Sequence, residues 1–137
     1  MVPKLSDVKN LVDQLALKIQ APESLLPTYG DSLDGGHPYV EIDRSGLLFY
    51  LADERGSEIK RYIALDIDDL LYNIFKDVTF LMATKNFTFT TPGKYSRRVW
   101  FVEQERLLGL LDESWGLRKI KEHEDLLKVH PFNDRLF

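Results

Sequence analysis

The sequence contains no cysteine. Disulfide frameworks, thiolate metal sites and cysteine nucleophiles are thereby excluded. It also lacks any long apolar run. The longest strongly apolar uncharged stretch, Val78 to Thr84, falls far short of the ~20 residues needed to span a bilayer. Near the start, Lys4, Asp7, Lys9, Asp13 and Lys18 interrupt the apolar positions, whereas an export signal needs an unbroken apolar stretch behind its basic residues. The expected setting is the cytoplasm, with no membrane partner. Signatures of catalysis are missing too: there is no GxSxG elbow, no GxxxxGK[ST] or GxGxxG phosphate loop and no HExxH. Gly35-Gly36-His37 lacks the preceding strand and following helix of a phosphate loop, and reads as a turn.

What is present describes a globular chain. Its 137 residues suit one domain, spanning 1–137. Apolar residues make up 44% and charged residues 29%, which is enough apolar material for a core and too little charge for disorder. Acids number 22 and bases 18, a net of −4. That balance does not favour a globally basic nucleic-acid binder, and it is too mild to name a partner.

Residues 5–19 read as an amphipathic helix, with Leu5, Val8, Leu11, Val12, Leu15, Ala16 and Ile19 at helical spacing and Ser6 as a possible cap. Residues 20–37 lose periodicity around Pro22, Pro27, Gly30, Gly35 and Gly36 and form a long loop. An antiparallel meander follows: a strand over Tyr39 to Asp43, a turn at Arg44-Ser45-Gly46, a strand over Leu47 to Ala52, a turn at Arg55-Gly56, and a strand over Ile59 to Ala64. On that last strand either alternate set, Ile59/Arg61/Ile63 or Lys60/Tyr62/Ala64, can be the drier one. Residues 66–84 carry the strongest helical stripe, from Ile67 through Leu70, Leu71, Ile74, Phe75, Val78 and Leu81 to Met82. Asn86 to Thr91 alternates like a strand but also fits a fraying helix end, and Pro92-Gly93 then breaks the chain. Helices over 96–111 and 113–129 complete the chain, the latter capped by Asp112, burying Trp115, Ile120, Leu126 and Leu127, and stopped by Pro131. The fold class is α+β: an N-terminal helix, a three-stranded antiparallel meander, and a helical C-terminal half packed on the sheet.

Few residues offer chemistry. His123 and His130 lie seven apart, not the four of a helical metal pair, and read as a surface histidine and a helix-terminal one stabilised by the dipole. No metal and no cofactor are expected. Asp66, Asp68 and Asp69 read as a capped first turn rather than catalytic carboxylates. Asp53-Glu54-Arg55-Gly56 reads as a charged hairpin tip. From Lys85 to Arg98 four bases and no acids interleave with Phe87, Phe89 and Tyr95. That pattern can bind single-stranded nucleic acid, but aromatics facing a core explain it better in an acidic protein. Residues 31–69, in contrast, hold ten acids and four bases, a net of −6, so the rest of the chain sums to +2. An acidic loop and sheet of this kind suits either solubility or docking of a basic protein.

The order of motifs resembles the immunity protein 63 family of bacterial polymorphic toxin systems, over roughly residues 37–134. The likeness is carried by His37-Pro38-Tyr39-Val40-Glu41-Ile42-Asp43, by Glu54-Arg55-Gly56, by Asp69-Leu70-Leu71-Tyr72 and Phe80-Leu81-Met82-Ala83. Beyond these come Arg97-Arg98 with Phe101 and Gln104, Leu107-Leu108, Leu111, Trp115 and His130-Pro131-Phe132-Asn133-Asp134. Phe87 to Gly93 departs from the family pattern. The resemblance implies an inhibitor, not an enzyme: a protein that binds the C-terminal domain of a cognate toxin and blocks its active site or substrate entry. The expected contacts are Asp31 and Asp34 in the long loop, Glu41 and Asp43 on the first strand, and Asp53, Glu54 and Arg55 at the exposed turn. The rival readings are a nucleic-acid-binding module using 85–98 and a small enzyme using the carboxylates at 53–54 and 66–69.

Overall fold

A computed structural model describes residues 3–85 and 97–130. Its elements run α1 (Leu5–Ile19), a 3-10 turn (Glu23–Leu25), β1 (Thr28–Tyr29), β2 (Pro38–Ile42), β3 (Leu48–Glu54), β4 (Ser57–Ala64), α2 (Ile67–Thr84), α3 (Arg97–Leu111) and α4 (Glu113–Val129). The class is α+β, as the sequence predicts. The chain divides into two compact units, Met1–Phe75 and Lys76–Phe137, with the boundary inside α2.

The first unit holds the sheet, in the order β1-β2-β3-β4. Among the described residues it has four strands, not the three expected. The added one is β1, which pairs in parallel with β2, Thr28 opposite Tyr39 and Tyr29 opposite Val40. Two residues are too few to show a period of two, so nothing local marks them as a strand. The antiparallel part agrees with expectation: β2 pairs β3 from Pro38↔Ala52 to Ile42↔Leu48, and β3 pairs β4 from Leu48↔Ala64 to Glu54↔Ser57. The turns also form as predicted. Gly46 takes φ 93°, and Arg55-Gly56 takes φ 54° and 76°, the left-handed pair that a two-residue hairpin needs to match strand twist.

One face of the sheet is dry. Val40, Leu48, Tyr50, Ala52 and Ala64 are buried on it, which settles that Lys60/Tyr62/Ala64 is the drier set. The helix α1 packs near β2 and buries Val8, Val12, Ala16 and Ile19. Its N-terminus is closed not by Ser6 but by Asp7, whose carboxylate accepts the Lys4 N–H at 3.2 Å. The start of α2 is tied to the end of β4. Asp66 Oδ1 accepts the Asp69 N–H at 2.8 Å, a true N-cap. Asp69 does something else: buried, it accepts the Tyr62 hydroxyl at 2.7 Å and the Leu65 N–H at 3.0 Å.

The second unit contains the end of α2 with α3 and α4. Leu107, Leu108, Leu111 and Trp115 form its apolar centre. Asp112 caps α4 as expected, accepting the Ser114 N–H at 2.8 Å. The helices α3 and α4 approach closely at two glycines: a Cβ on Gly116 would lie 2.9 Å from the Gly109 Cα. Two expectations for α4 fail. Ile120 and Leu126 are 39% and 41% exposed, and His123 is only 5% exposed. The inward row is Trp115, Lys119, His123 and Leu127, spaced by four, and it contains a lysine and a histidine that an apolar template passes over. The alternating segment from Asn86 and the tail from Pro131 lie outside the described residues.

Candidate functional site

The long loop and the β3–β4 hairpin are joined by backbone hydrogen bonds to one carboxylate. Asp34, itself at φ 60°, accepts the Arg55 N–H at 2.8 Å and the Gly56 N–H at 3.0 Å. The Gly36 N–H adds a 2.7 Å bond to the Asp53 carbonyl. The amides of Gly56 and Arg55 hold the Asp34 carboxyl below the usual carboxylate range. This clamp brings Asp34, Asp53, Glu54 and Arg55 together at one end of the sheet. Asp43 lies at the other end, about six residues of strand or ~20 Å away. There its Oδ1 accepts the Ser45 hydroxyl at 2.7 Å and the Ser45 and Leu47 N–H groups at 2.9 and 3.0 Å. Those bonds hold its carboxyl low as well, the Ser45 hydroxyl most.

Between the two ends, the second face of the sheet is partly open: Tyr39 and Leu51 are buried on it, while Glu41, Arg61 and Ile63 are exposed. Register places Tyr39, Leu51 and Arg61 in one row and Glu41, Phe49 and Ile63 in the next. The Tyr39 hydroxyl donates to Asp53, 3.0 and 3.1 Å from its two oxygens. Burial, then the Asp53 carboxylate, pushes this hydroxyl up to about 12, so it stays a donor. Arg61 lies 5.1 Å from the centre of the Phe49 ring and donates to both oxygens of Glu58 at 2.9 and 2.8 Å. Hydrogen bonding to Arg61 holds Glu58 low. Glu41, Asp53 and Glu58 thus share one face with a single cation, Arg61, among the described residues.

The seven expected contact residues therefore divide by what their side chains already do. Asp34 and Asp43 hold turns, and Asp53 holds Tyr39. Asp31, Glu41 and Glu54 make no side-chain hydrogen bond or ion pair among the described residues and are exposed. The Arg55 side chain is exposed at the turn. Sequence reasoning missed Tyr39, Glu58 and Arg61. Their signal was the alternation itself, readable only once β2, β3 and β4 are placed in register. The carboxylates proposed for an enzyme do not converge: Asp53 meets Tyr39 on the open face, whereas Asp69 meets Tyr62 from the dry face.

A second feature belongs to the helical unit. A pocket of about 300 Å³ is lined by Lys76, Asp77, Phe80, Trp100, Gln104, Lys119 and His123. The His123 ring stacks on Phe101 at 3.7 Å between centres, and its Nδ1–H donates to Glu105 at 2.7 Å. Burial lowers the His123 pKa, with Glu105 opposing and Lys119 reinforcing the shift. Gln104 donates to the Lys76 carbonyl at 2.9 Å. No group of three metal-ligating side chains converges among the described residues, and no described helix is long and apolar enough to cross a membrane. Most of the basic segment 85–98 lies outside the described residues.

Among known families, the one described as Immunity protein 63 matches residues 45–125. The match begins at the β2–β3 turn and ends within α4, narrower at both ends than the sequence motifs suggest. It includes Asp53, Glu54 and Arg55, and it leaves out Asp31, Asp34, Glu41 and Asp43. No curated protein and no solved structure matches the chain.

Proposed function

The chain belongs to the immunity protein 63 family, and we propose that it neutralises a cognate bacterial toxin domain by covering that domain's active site or substrate entry. The observation that carries this reading is the family match across 81 consecutive residues, 45–125. The geometry supports it in kind. The described residues offer an acid-rich loop and sheet face on which Asp31, Glu41 and Glu54 are exposed.

The contact surface is the one built from Asp31, Glu41, Asp53, Glu54 and Arg55, with Asp34 and Asp43 fixing the turns that present them. A standard interface of ~800 Å² per partner is large enough to span the loop, the hairpin tip and the open face. Its charge suits a toxin with a basic cleft, which acidic groups engage quickly by steering. The loop residues outside the family match are the natural place for differences between toxins, because discrimination needs contacts that vary.

The test is co-expression with the C-terminal toxin domain encoded by the neighbouring reading frame. Rescue of growth and co-purification of the pair are expected. If neither occurs, the immunity reading fails for that pair. Given binding, Glu41→Lys and Glu54→Lys should slow association, and the effect should shrink as salt rises.

A further inference from the structure

The sheet ends in a strand, β4, that pairs on one side only among the described residues. In the order β1-β2-β3-β4, β4 is an edge of eight residues, and no fifth strand pairs with it among the described residues. Six of its residues, Ser57 to Arg61 and Ile63, are exposed.

The backbone groups it offers can be assigned. The Asp53 carbonyl points away from β4 and accepts the Gly36 N–H, and the Val40 carbonyl points away from β3 and accepts the Gly30 N–H at 2.8 Å. Antiparallel ladders alternate strictly, so Leu51 and Phe49 turn their backbone groups to β2. Their β4 partners Arg61 and Ile63 therefore turn theirs to the open edge. Lys60, Tyr62 and Ala64 face β3 instead.

Edge strands are commonly guarded by lysine or arginine. Here both cations lie back over the sheet. The Lys60 ammonium sits 4.4 Å from the centre of the Tyr50 ring on one face, and Arg61 is held by Phe49 and Glu58 on the other. Ile59 and Ile63 remain 57% and 49% exposed. A register shift at Ala52/Asp53 disturbs only the hairpin end, and pairing from Lys60 onward is regular.

We infer that β4 is a docking strand, onto which an extended segment of the toxin domain adds as a fifth strand. The inference rests on the immunity reading. Main-chain bonds to Arg61 and Ile63 supply register, and side chains of the incoming strand supply selectivity. Its residue opposite Ile63 is apolar. On the same face it carries a basic residue, because Glu41, Asp53 and Glu58 outnumber Arg61 there. The added strand adjoins that face directly, so edge and face form one surface.

The test uses the full chain and the C-terminal domain encoded by the neighbouring reading frame. Ile63→Pro deletes one outward N–H and leaves the β3 ladder intact, a position where edge strands accept proline. The variant should keep its thermal midpoint within a few degrees and bind the toxin domain at least tenfold more weakly, while Ile63→Val binds as wild type. Hydrogen exchange gives a check that needs no substitution. The Arg61 and Ile63 amides should exchange quickly in the free protein and slow at least tenfold in the complex, while Lys60 and Tyr62 are protected in both. Wild-type protein that binds while Arg61 and Ile63 stay unprotected overturns strand addition and leaves the immunity reading standing. Wild-type protein that does not bind overturns both. Protection of Arg61 and Ile63 without toxin, with a doubled mass, assigns the edge to a second copy and overturns the inference as well.

Discussion

The crossing of α3 and α4 permits a sharp test of the helical unit through its two glycines. An ideal Cβ on Gly116 meets the Gly109 Cα at 2.9 Å, the Gly109 nitrogen at 3.2 Å and the Glu105 carbonyl oxygen at 3.4 Å. Carbon atoms in good contact sit ~3.5–4.0 Å apart, so Gly116→Ala must push the helices apart by several tenths of an ångström. All three obstacles are backbone and cannot rotate away. Overpacking of this kind costs about 1–3 kcal/mol. A Cβ on Gly109 meets nothing within 4 Å. Alanine there gains only the helical preference over glycine, roughly 0.5–1 kcal/mol. That preference is common to both sites, so the difference between Gly109→Ala and Gly116→Ala isolates the clash. Urea unfolding of the two variants should place Gly116→Ala about 1–3 kcal/mol below Gly109→Ala with equal m-values. Equal stability, or Gly116→Ala the more stable, refutes the close crossing.

Acidification should weaken the same unit. Burial holds the His123 pKa below the 6.5 of an unfolded histidine, so between those two values the unfolded chain binds a proton that the folded chain does not. The contribution is complete above pH 6.5 and declines as pH falls beneath it. The urea midpoint should drop between pH 7.5 and 5.5, and His123→Phe should flatten that drop; a midpoint that holds or rises counts against a neutral buried histidine. Arg55 holds φ 54°, where asparagine is at ease and arginine is not. Arg55→Asn should raise thermal stability by about 1 kcal/mol while weakening toxin binding; a loss of stability contradicts the turn geometry. Asp34→Ala should speed hydrogen exchange at the Arg55 and Gly56 amides, its two partners, and leave the Lys60 amide unchanged. In the unaltered protein the same release should come only at low pH, below the usual carboxylate range, because those amides depress the Asp34 pKa.

The parts of the structure readable from sequence are those set by near neighbours. The stripe from Ile67 to Met82 repeats every three or four residues, and α2 forms over Ile67–Thr84. Asp112 sits one residue before Glu113, and the cap forms. The unreadable parts depend on partners far along the chain. Thr28 and Tyr29 become a strand only because Tyr39 and Val40 lie beside them. Asp34 acquires its partners 21 and 22 residues away. His123 is buried by Phe101 and bonded to Glu105, 18 residues earlier. Within α4 alone, a histidine between Glu122 and Glu124 gives every sign of being solvated. The candidate site falls between these cases. Its hairpin tip is legible from Arg55-Gly56, whereas the open face around Tyr39 exists only through three-strand register.

Register also changes what the acidic excess means. Of the ten acids over residues 31–69, Asp34, Asp43, Asp66 and Asp69 accept backbone N–H groups, Asp53 accepts from Tyr39, and Glu58 is bound by Arg61. The four that accept backbone N–H groups are already satisfied, and drawing one into an interface would break a turn or a helix cap, whereas Asp53 and Glu58, bonded to side chains of the sheet face, can be shared with a partner. They still contribute charge at a distance. Asp34, Asp43 and Glu58 have lowered pKa values, so they remain ionised to lower pH than free carboxylates. The same acids thus serve two ranges. The satisfied ones add to a long-range field that hastens encounter with a basic partner. The free ones, Asp31, Glu41 and Glu54, are left to make direct contact. Net charge counts both kinds alike and cannot separate them; the hydrogen bonds do.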